Sequence, residues 1–156
     1  MKICVFSDSH GVAYRMTEAV WREAPDLVFF LGDGEGDLNL LKKEYPSLPV
    51  HAVRGNCDLY SSLQPDLFCS VFGFRFFLTH GHHYGVKYER DFKSLIAEAR
   101  SGQADAALFG HTHEAYLERL QDGLLVMNPG SLRGYGGSYG ILEIREGKLL
   151  PRNMRC

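Results

Sequence analysis

Cysteine is scarce and dispersed. The four present, Cys4, Cys57, Cys69 and Cys156, form no C-x-x-C pair. That excludes a disulfide-stapled scaffold and a zinc ribbon, and points to a reduced, cytoplasmic setting. Positive charge is not in excess: 17 Lys and Arg stand against 19 Asp and Glu, a formal net charge of −2. A broadly basic face for nucleic acid is thereby excluded. Long apolar runs are missing. Leu27–Leu31 is among the longest at five residues, far short of the roughly 18 that a membrane span needs. The opening does not read as a signal peptide: its short apolar stretch runs directly into Ser7-Asp8-Ser9-His10, without the expected apolar length or small-residue cleavage site. No repeat, low-complexity tract or linker divides the 156 residues, so one domain over 1–156 is expected. Apolar residues at 45% are enough to build its core.

The coarse pattern alternates strand and helix and then changes. Lys2–Ser7 and Asp26–Leu31 read as short buried strands, and Val50–Arg54 as a third strand. Between them, residues 11–23 carry apolar side chains at helical spacing, and a second helix ends at Pro46 with Asp37 as its cap. Leu67–Phe72 and Phe74–Thr79 flank Gly73 as a hairpin. Tyr88–Arg100 reads as an amphipathic helix, and Ala104–Phe109 as a strand. The strands Ala115–Leu120, Leu124–Met127, Tyr139–Arg145 and Lys148–Pro151 close the chain. A βαβαβ start with a hairpin-rich second half implies an α/β protein of two packed sheets with helices outside.

Chemistry-bearing residues recur at one kind of place. Asp8 and His10 follow the first strand, Asp33 the second and Asn56 the third. His80 follows Phe74–Thr79, and His111 and His113 follow Ala104–Phe109. Ligand sites gather beyond the carboxyl ends of such strands, so residues distant in sequence can converge. If the last strand continues, His111 and His113, two apart, share a face. The set is two carboxylates, four imidazoles and one amide, without thiolate. Such donors suit divalent manganese, iron, cobalt, nickel or zinc. Seven are too many for one ion that keeps an open position, and suit two ions sharing a carboxylate.

Asp8-Ser9-His10, Gly32-Asp33, Gly55-Asn56, His80-Gly81-His82 and Gly110-His111-Thr112-His113 stand in one order. The sequence thereby resembles the calcineurin-like metallophosphoesterases, most closely the small phosphodiesterases of the YfcE type. The resemblance covers Met1 to about Ser131 and implies a four-layer α/β/β/α sandwich of two mixed sheets. It implies that Asp8, His10 and His113 hold one ion, that Asn56, His80 and His111 hold the other, and that Asp33 bridges. Asp33 and Asn56 are the expected catalytic positions, a neutral amide leaving its ion more electrophilic. By resemblance, manganese is the expected ion, and the small relatives form dimers or tetramers.

The reaction implied is hydrolysis of a phosphate ester, most simply a small-molecule diester, by water activated between two ions. Arg54, His82, Cys57 and Asp58 are the candidates for substrate contact, and His82 can instead orient His80. Larger phosphatases carry a histidine after the Gly-Asn pair, and here Cys57 takes its place. A thiol is a poor copy of imidazole as an acid, so leaving groups that need no proton should be favoured. Neither ion is expected to use that thiol. Asn128-Pro129-Gly130-Ser131 reads as a turn or as support for the site. Tyr135 and Tyr139 are candidates for stacking on a leaving group. A relative of the fold serves as a scaffold in retromer, and other relatives are nucleases. The complete donor set speaks against the first, and the acidic balance against the second.

Overall fold

A computed structural model describes residues 1–156. In chain order the elements are β1 (Lys2–Phe6), α1 (Ala13–Glu23), β2 (Leu27–Phe30), α2 (Glu35–Glu44) and β3 (Val50–Ala52). Then come β4 (Asp66–Val71), β5 (Phe74–Thr79), a single 3-10 turn at His82–Tyr84, α3 (Lys93–Ser101) and β6 (Ala106–Leu108). The chain closes with β7 (Ala115–Arg119), β8 (Leu125–Pro129), β9 (Ser138–Arg145) and β10 (Lys148–Arg155). One sheet has the order β10-β9-β1-β2-β3 and the other β4-β5-β6-β8-β7. In the first, β1, β2 and β3 run parallel, and in the second β5, β6 and β8 do. Antiparallel strands β9 and β10 adjoin the first triplet beside β1, and β4 and β7 flank the second on both sides.

Strand alternation builds the layers. Along β1, Ile3 and Val5 point to a core between the sheets, where they meet Phe29, Phe76, Leu78 and Leu108. Cys4 and Phe6 point the other way, to a core shared with Met16 and Val20 of α1 and Leu38 and Leu41 of α2. A third core joins Phe77 and Ala107 to Leu95 and Ala99 of α3. Period-two alternation thus gives each sheet two buried faces, and the result is an α/β/β/α sandwich. Phe29 and Phe76 meet edge to face across the central layer, with ring centroids 5.1 Å apart. Their pairing ties one sheet to the other by about 0.5–1.5 kcal/mol beyond the area they bury. No helix is long and apolar enough to cross a membrane.

Three local expectations need correction. The third helix starts at Lys93, not Tyr88. Phe92 takes a left-handed backbone, φ 51°, while its ring packs 4.7 Å from that of Phe109 and 4.9 Å from that of Tyr116. Tertiary packing overrides the helical period there. Glu89 lies outside the helix, where its carboxylate accepts from the Ser94 amide in the first turn. Asp37 does not cap α2, because Gly34 holds the cap position. The Asp37 carboxylate instead accepts from Ser9 Oγ and the Gly11 amide, fixing the loop after β1. Finally, β10 continues to Arg155, paired with β9 down to Ser138.

Candidate metal centre

The carboxyl ends of β1, β2, β3, β5 and β6 face one edge of the sandwich, and the loops leaving them carry the polar side chains. Their backbone is unusual. Asp8, His10, Asp33, His111 and His113 all have positive φ, between 42° and 68°. Left-handed backbone is uncommon outside glycine, and a cluster of such residues marks a functional site held by its surroundings. It also corrects one expectation. His111 and His113 do not continue β6 as a strand. Each follows its own left-handed bend, and the two rings enter different groups.

Asp8, His10 and His113 form one group, with donor atoms all within 4.8 Å of one another. Asp33, His80 and His111 form another by the same measure. Asp8 Oδ1 lies 3.0 Å from His113 Nε2 and 3.6 Å from His10 Nε2. Asp33 Oδ2 lies 3.3 Å from His80 Nε2 and 3.8 Å from His10 Nε2, so it stands between the groups. Asn56 Oδ1 lies 3.1 Å from His80 Nε2.

These atoms are arranged for a cation. Asp8 Oδ1 is buried and has no hydrogen-bond partner, while Oδ2 accepts from Ser7 Oγ and the His111 amide. His80 Nδ1 donates to the Leu31 carbonyl at 2.7 Å. That fixes the tautomer and leaves the Nε2 lone pair facing the oxygens of Asn56 and Asp33. His10 Nε2 and His113 Nε2 face each other at 3.4 Å. Converging lone pairs repel unless positive charge sits among them. The protein alone shows the same pull: burial would lower the His80 pKa, yet Asp33 and Asp8 outweigh it and hold it above its ordinary value. Burial would raise the Asp33 pKa, but the His80 ring beside it and the bond from the Cys57 amide hold it well below the usual carboxylate range. The donors present therefore fit divalent metal.

Two of the segments singled out in the sequence brace the site. Asp58 lies in the turn after Asn56. Its Oδ1 accepts from the amides of Gly34 and Glu35, both at 2.9 Å, and its Oδ2 from those of Asp33 and Gly55, at 2.7 and 2.8 Å. One carboxylate thus ties the Asp33 loop to the Asn56 loop. Its lone pairs are committed to backbone, which places it as a support rather than a contact for substrate. Asn128, wholly buried, donates to the Gly110 carbonyl and to Thr112 Oγ1, and Ser131 Oγ donates to the Asp8 carbonyl. The Asn128–Ser131 segment therefore holds the loops of Asp8 and of His111. Glycine is required where these loops touch. A Cβ on Gly110 would lie 1.9 Å from Ser7 Oγ, and one on Gly55 2.0 Å from Asp33 Oδ1.

The remaining candidates divide. Arg54, Asn56, Asp58, Leu59, Tyr60, His82 and His83 line an open hollow of about 350 Å³ beside the centre. Arg54 Nη1 donates to the Leu63 carbonyl. The His82 ring lies 5.4 Å from His80 and 6.0 Å from His111. Burial, then His83 and His80, lower its pKa. Burial, then His80 and Lys87, lower that of His111 to about 4. Tyr135 is exposed, but Tyr139 is buried, its hydroxyl bonded to Glu23 and Arg22, so it cannot stack on a ligand. Cys57 is exposed, with its sulfur close to His10 and Asp33. The role of Asp58 had no signal in the sequence beyond its place after a Gly-Asn turn.

Residues 1–147 match the calcineurin-like phosphoesterase superfamily domain. The probable metallophosphoesterase YsnB of Bacillus subtilis is 35% identical over 136 residues, covering 85% of this chain and 76% of YsnB. The phosphodiesterase YfcE of Escherichia coli is 29% identical over 171 residues, covering 92% of this chain and 88% of YfcE. A crystal structure of a predicted phosphoesterase from Streptococcus pneumoniae superposes with a TM-score of 0.75 at 27% identity, over 99% of this chain and 97% of that one. Vps29 of Entamoeba histolytica, solved with zinc, superposes with a TM-score of 0.74 over 99% of both chains, and at 20% identity the likeness is one of fold. A family match over nearly the whole chain joins a site whose donors converge on a place for metal. The chain belongs to the calcineurin-like phosphoesterase superfamily and is a metal-dependent phosphoester hydrolase.

Proposed function

We propose that residues 1–156 act as one domain that hydrolyses phosphodiesters with two divalent ions, manganese foremost. Asp8, His10 and His113 hold one ion, Asn56, His80 and His111 the other, and Asp33 stands between. The observation that carries this reading is the pair of donor groups meeting at Asp33, with the buried, unpartnered Asp8 Oδ1 aimed between them. Two ions bound there supply Lewis acidity at phosphorus and lower the pKa of water between them. The chain's own residues do the rest. Leu31 holds His80 in the tautomer that presents Nε2. Asn56, whose Nδ2 donates to the Cys57 sulfur, offers a neutral oxygen beside His80 Nε2. Arg54 and His82 wall the hollow where the diester's second ester group lies, and can donate to its phosphate oxygens.

No imidazole adjoins Asn56 in sequence to protonate the leaving oxygen, which favours diesters with acidic leaving groups. Four free cysteines accord with a reduced, cytoplasmic setting. A homodimer or homotetramer is the expected assembly, read by light scattering. The scaffold reading has the likeness of fold alone behind it. The test of function is a paired assay on bis(p-nitrophenyl) phosphate and p-nitrophenyl phosphate with manganese. Faster turnover of the diester supports the reading, and a monoester preference overturns the diester assignment.

A further inference from the structure

Cys57 stands one residue past Asn56, and the sequence leaves its thiol outside the metal set. The fold does not. Cys57 Sγ, a ring nitrogen of His10 and a carboxylate oxygen of Asp33 all lie within 4.8 Å of one another. The position is fixed from both sides: the Cys57 amide donates to Asp33 Oδ1 at 2.8 Å, and Asn56 Nδ2 donates to Sγ at 3.4 Å. Donors on one tetrahedral ion, at about 2.0–2.3 Å from it, stand roughly 3.3–3.8 Å apart. The 4.8 Å limit exceeds that spacing by about 1 Å, a gap that side-chain rotation can close. His10 links this trio to the first donor group, because the fully buried, unpartnered Asp8 Oδ1 lies 3.6 Å from His10 Nε2.

Thiolate and carboxylate select different ions. Soft sulfur favours zinc, cadmium and cobalt, whereas manganese prefers oxygen and water. We propose that Cys57 is a conditional ligand of the centre. With a thiophilic divalent ion, the thiol gives its proton to solvent and Sγ joins His10 and Asp33 on the metal. With manganese, the thiol stays protonated and free. Catalytic sites need an open coordination position, and a thiolate closes one. The chain therefore discriminates among ions by its own third donor type, and zinc-class ions leave the centre closed. This inference rests on the metal centre described above, but not on there being two ions.

Cobalt supplies the direct test. Metal-free protein loaded with cobalt should show a thiolate-to-cobalt charge-transfer band in the near ultraviolet. Cys57→Ser should lose that band while binding as much cobalt by elemental analysis. A second measurement needs no variant: iodoacetamide alkylation of the wild type, followed peptide by peptide. Cadmium should slow alkylation at Cys57 by ~10-fold or more relative to manganese, while exposed Cys156 reacts at an unchanged rate. A missing band, or equal alkylation of Cys57 under both metals with each shown to be bound, overturns the proposal. Failure to bind any metal overturns it together with the metal centre. One bound ion with the band present leaves Cys57 a ligand and removes only the two-ion mechanism.

Discussion

Replacing Asp58 separates a brace from a substrate contact. Its carboxylate accepts four backbone amides, at 2.7 to 2.9 Å, from the loops that carry Asp33 and Asn56. In Asp58→Ala those amides turn to water, because the site is half-buried. A net loss of about 1 kcal/mol per bond gives roughly 4 kcal/mol. Domains carry about 5–15 kcal/mol of stability, so the variant folds. For a chain of this size the loss lowers Tm by roughly 8–16 °C. Asp58→Asn keeps one acceptor and turns an amino group toward two donors, so about half the loss or more is expected. Manganese affinity should fall in both variants, since the two loops are no longer tied. The pH dependence has a definite sign. Burial would raise the Asp58 pKa, but the four amides outweigh it and lower it. Its contribution is therefore full above the unfolded value, about 3.9, and is lost as pH falls through the lower folded value. Thermal melts of wild type and Asp58→Ala should differ most near neutral pH and converge below about pH 4. If Asp58 instead touches substrate, Asp58→Asn leaves Tm and metal affinity in place and raises KM. That result would refute the bracing argument.

Other expectations follow from single positions. Asp33→Asn should lower metal content and remove nearly all diester hydrolysis with the circular dichroism spectrum intact; normal activity with full metal would end the bridging assignment. Gly110→Ala should act without changing any donor, because its Cβ drives into Ser7 Oγ and Asp8 Oδ2. It should cost about 1–3 kcal/mol and weaken metal binding, and wild-type affinity in calorimetry would contradict the geometry. A leaving-group series should fall steeply from aryl to alkyl diesters. Cys57→His should flatten it, since acid help is worth about 10²–10⁴ in rate; an unchanged slope would show that no proton is missing at that step.

The strands and their ends were legible because one rule made both. Short apolar runs become strands, buried except for the half-buried β3, and Asp8, Asp33, Asn56, His80, His111 and His113 each follow one within a few residues. Two sheets with outer helices were legible in the βαβαβ start and hairpin-rich second half, whereas the division of Ile3 and Val5 from Cys4 and Phe6 between two cores emerges only in the fold, because the run is apolar throughout. What stayed hidden depends on backbone turns. Asp37 looks like a cap in sequence, but the bend at Gly34 sends its carboxylate to Ser9 and Gly11. Asp58 owes its role to four amides from two loops, a convergence with no periodicity. The start of α3 was misplaced because the packing of Phe92 on Phe109 and Tyr116 outweighs its helical spacing. His111 and His113 diverge through left-handed bends that residue spacing does not encode. Cys57 sits beside His10 and Asp33 only because the β1, β2 and β3 loops share an edge.

The central claim is that two ions meet at Asp33. Its most direct test is a manganese titration of the metal-free protein, with bound metal counted by elemental analysis and diester turnover read at each point. The account predicts saturation at two ions per chain, with turnover rising as the second binds. Full turnover at one ion per chain, or turnover that persists with no metal bound, would contradict it.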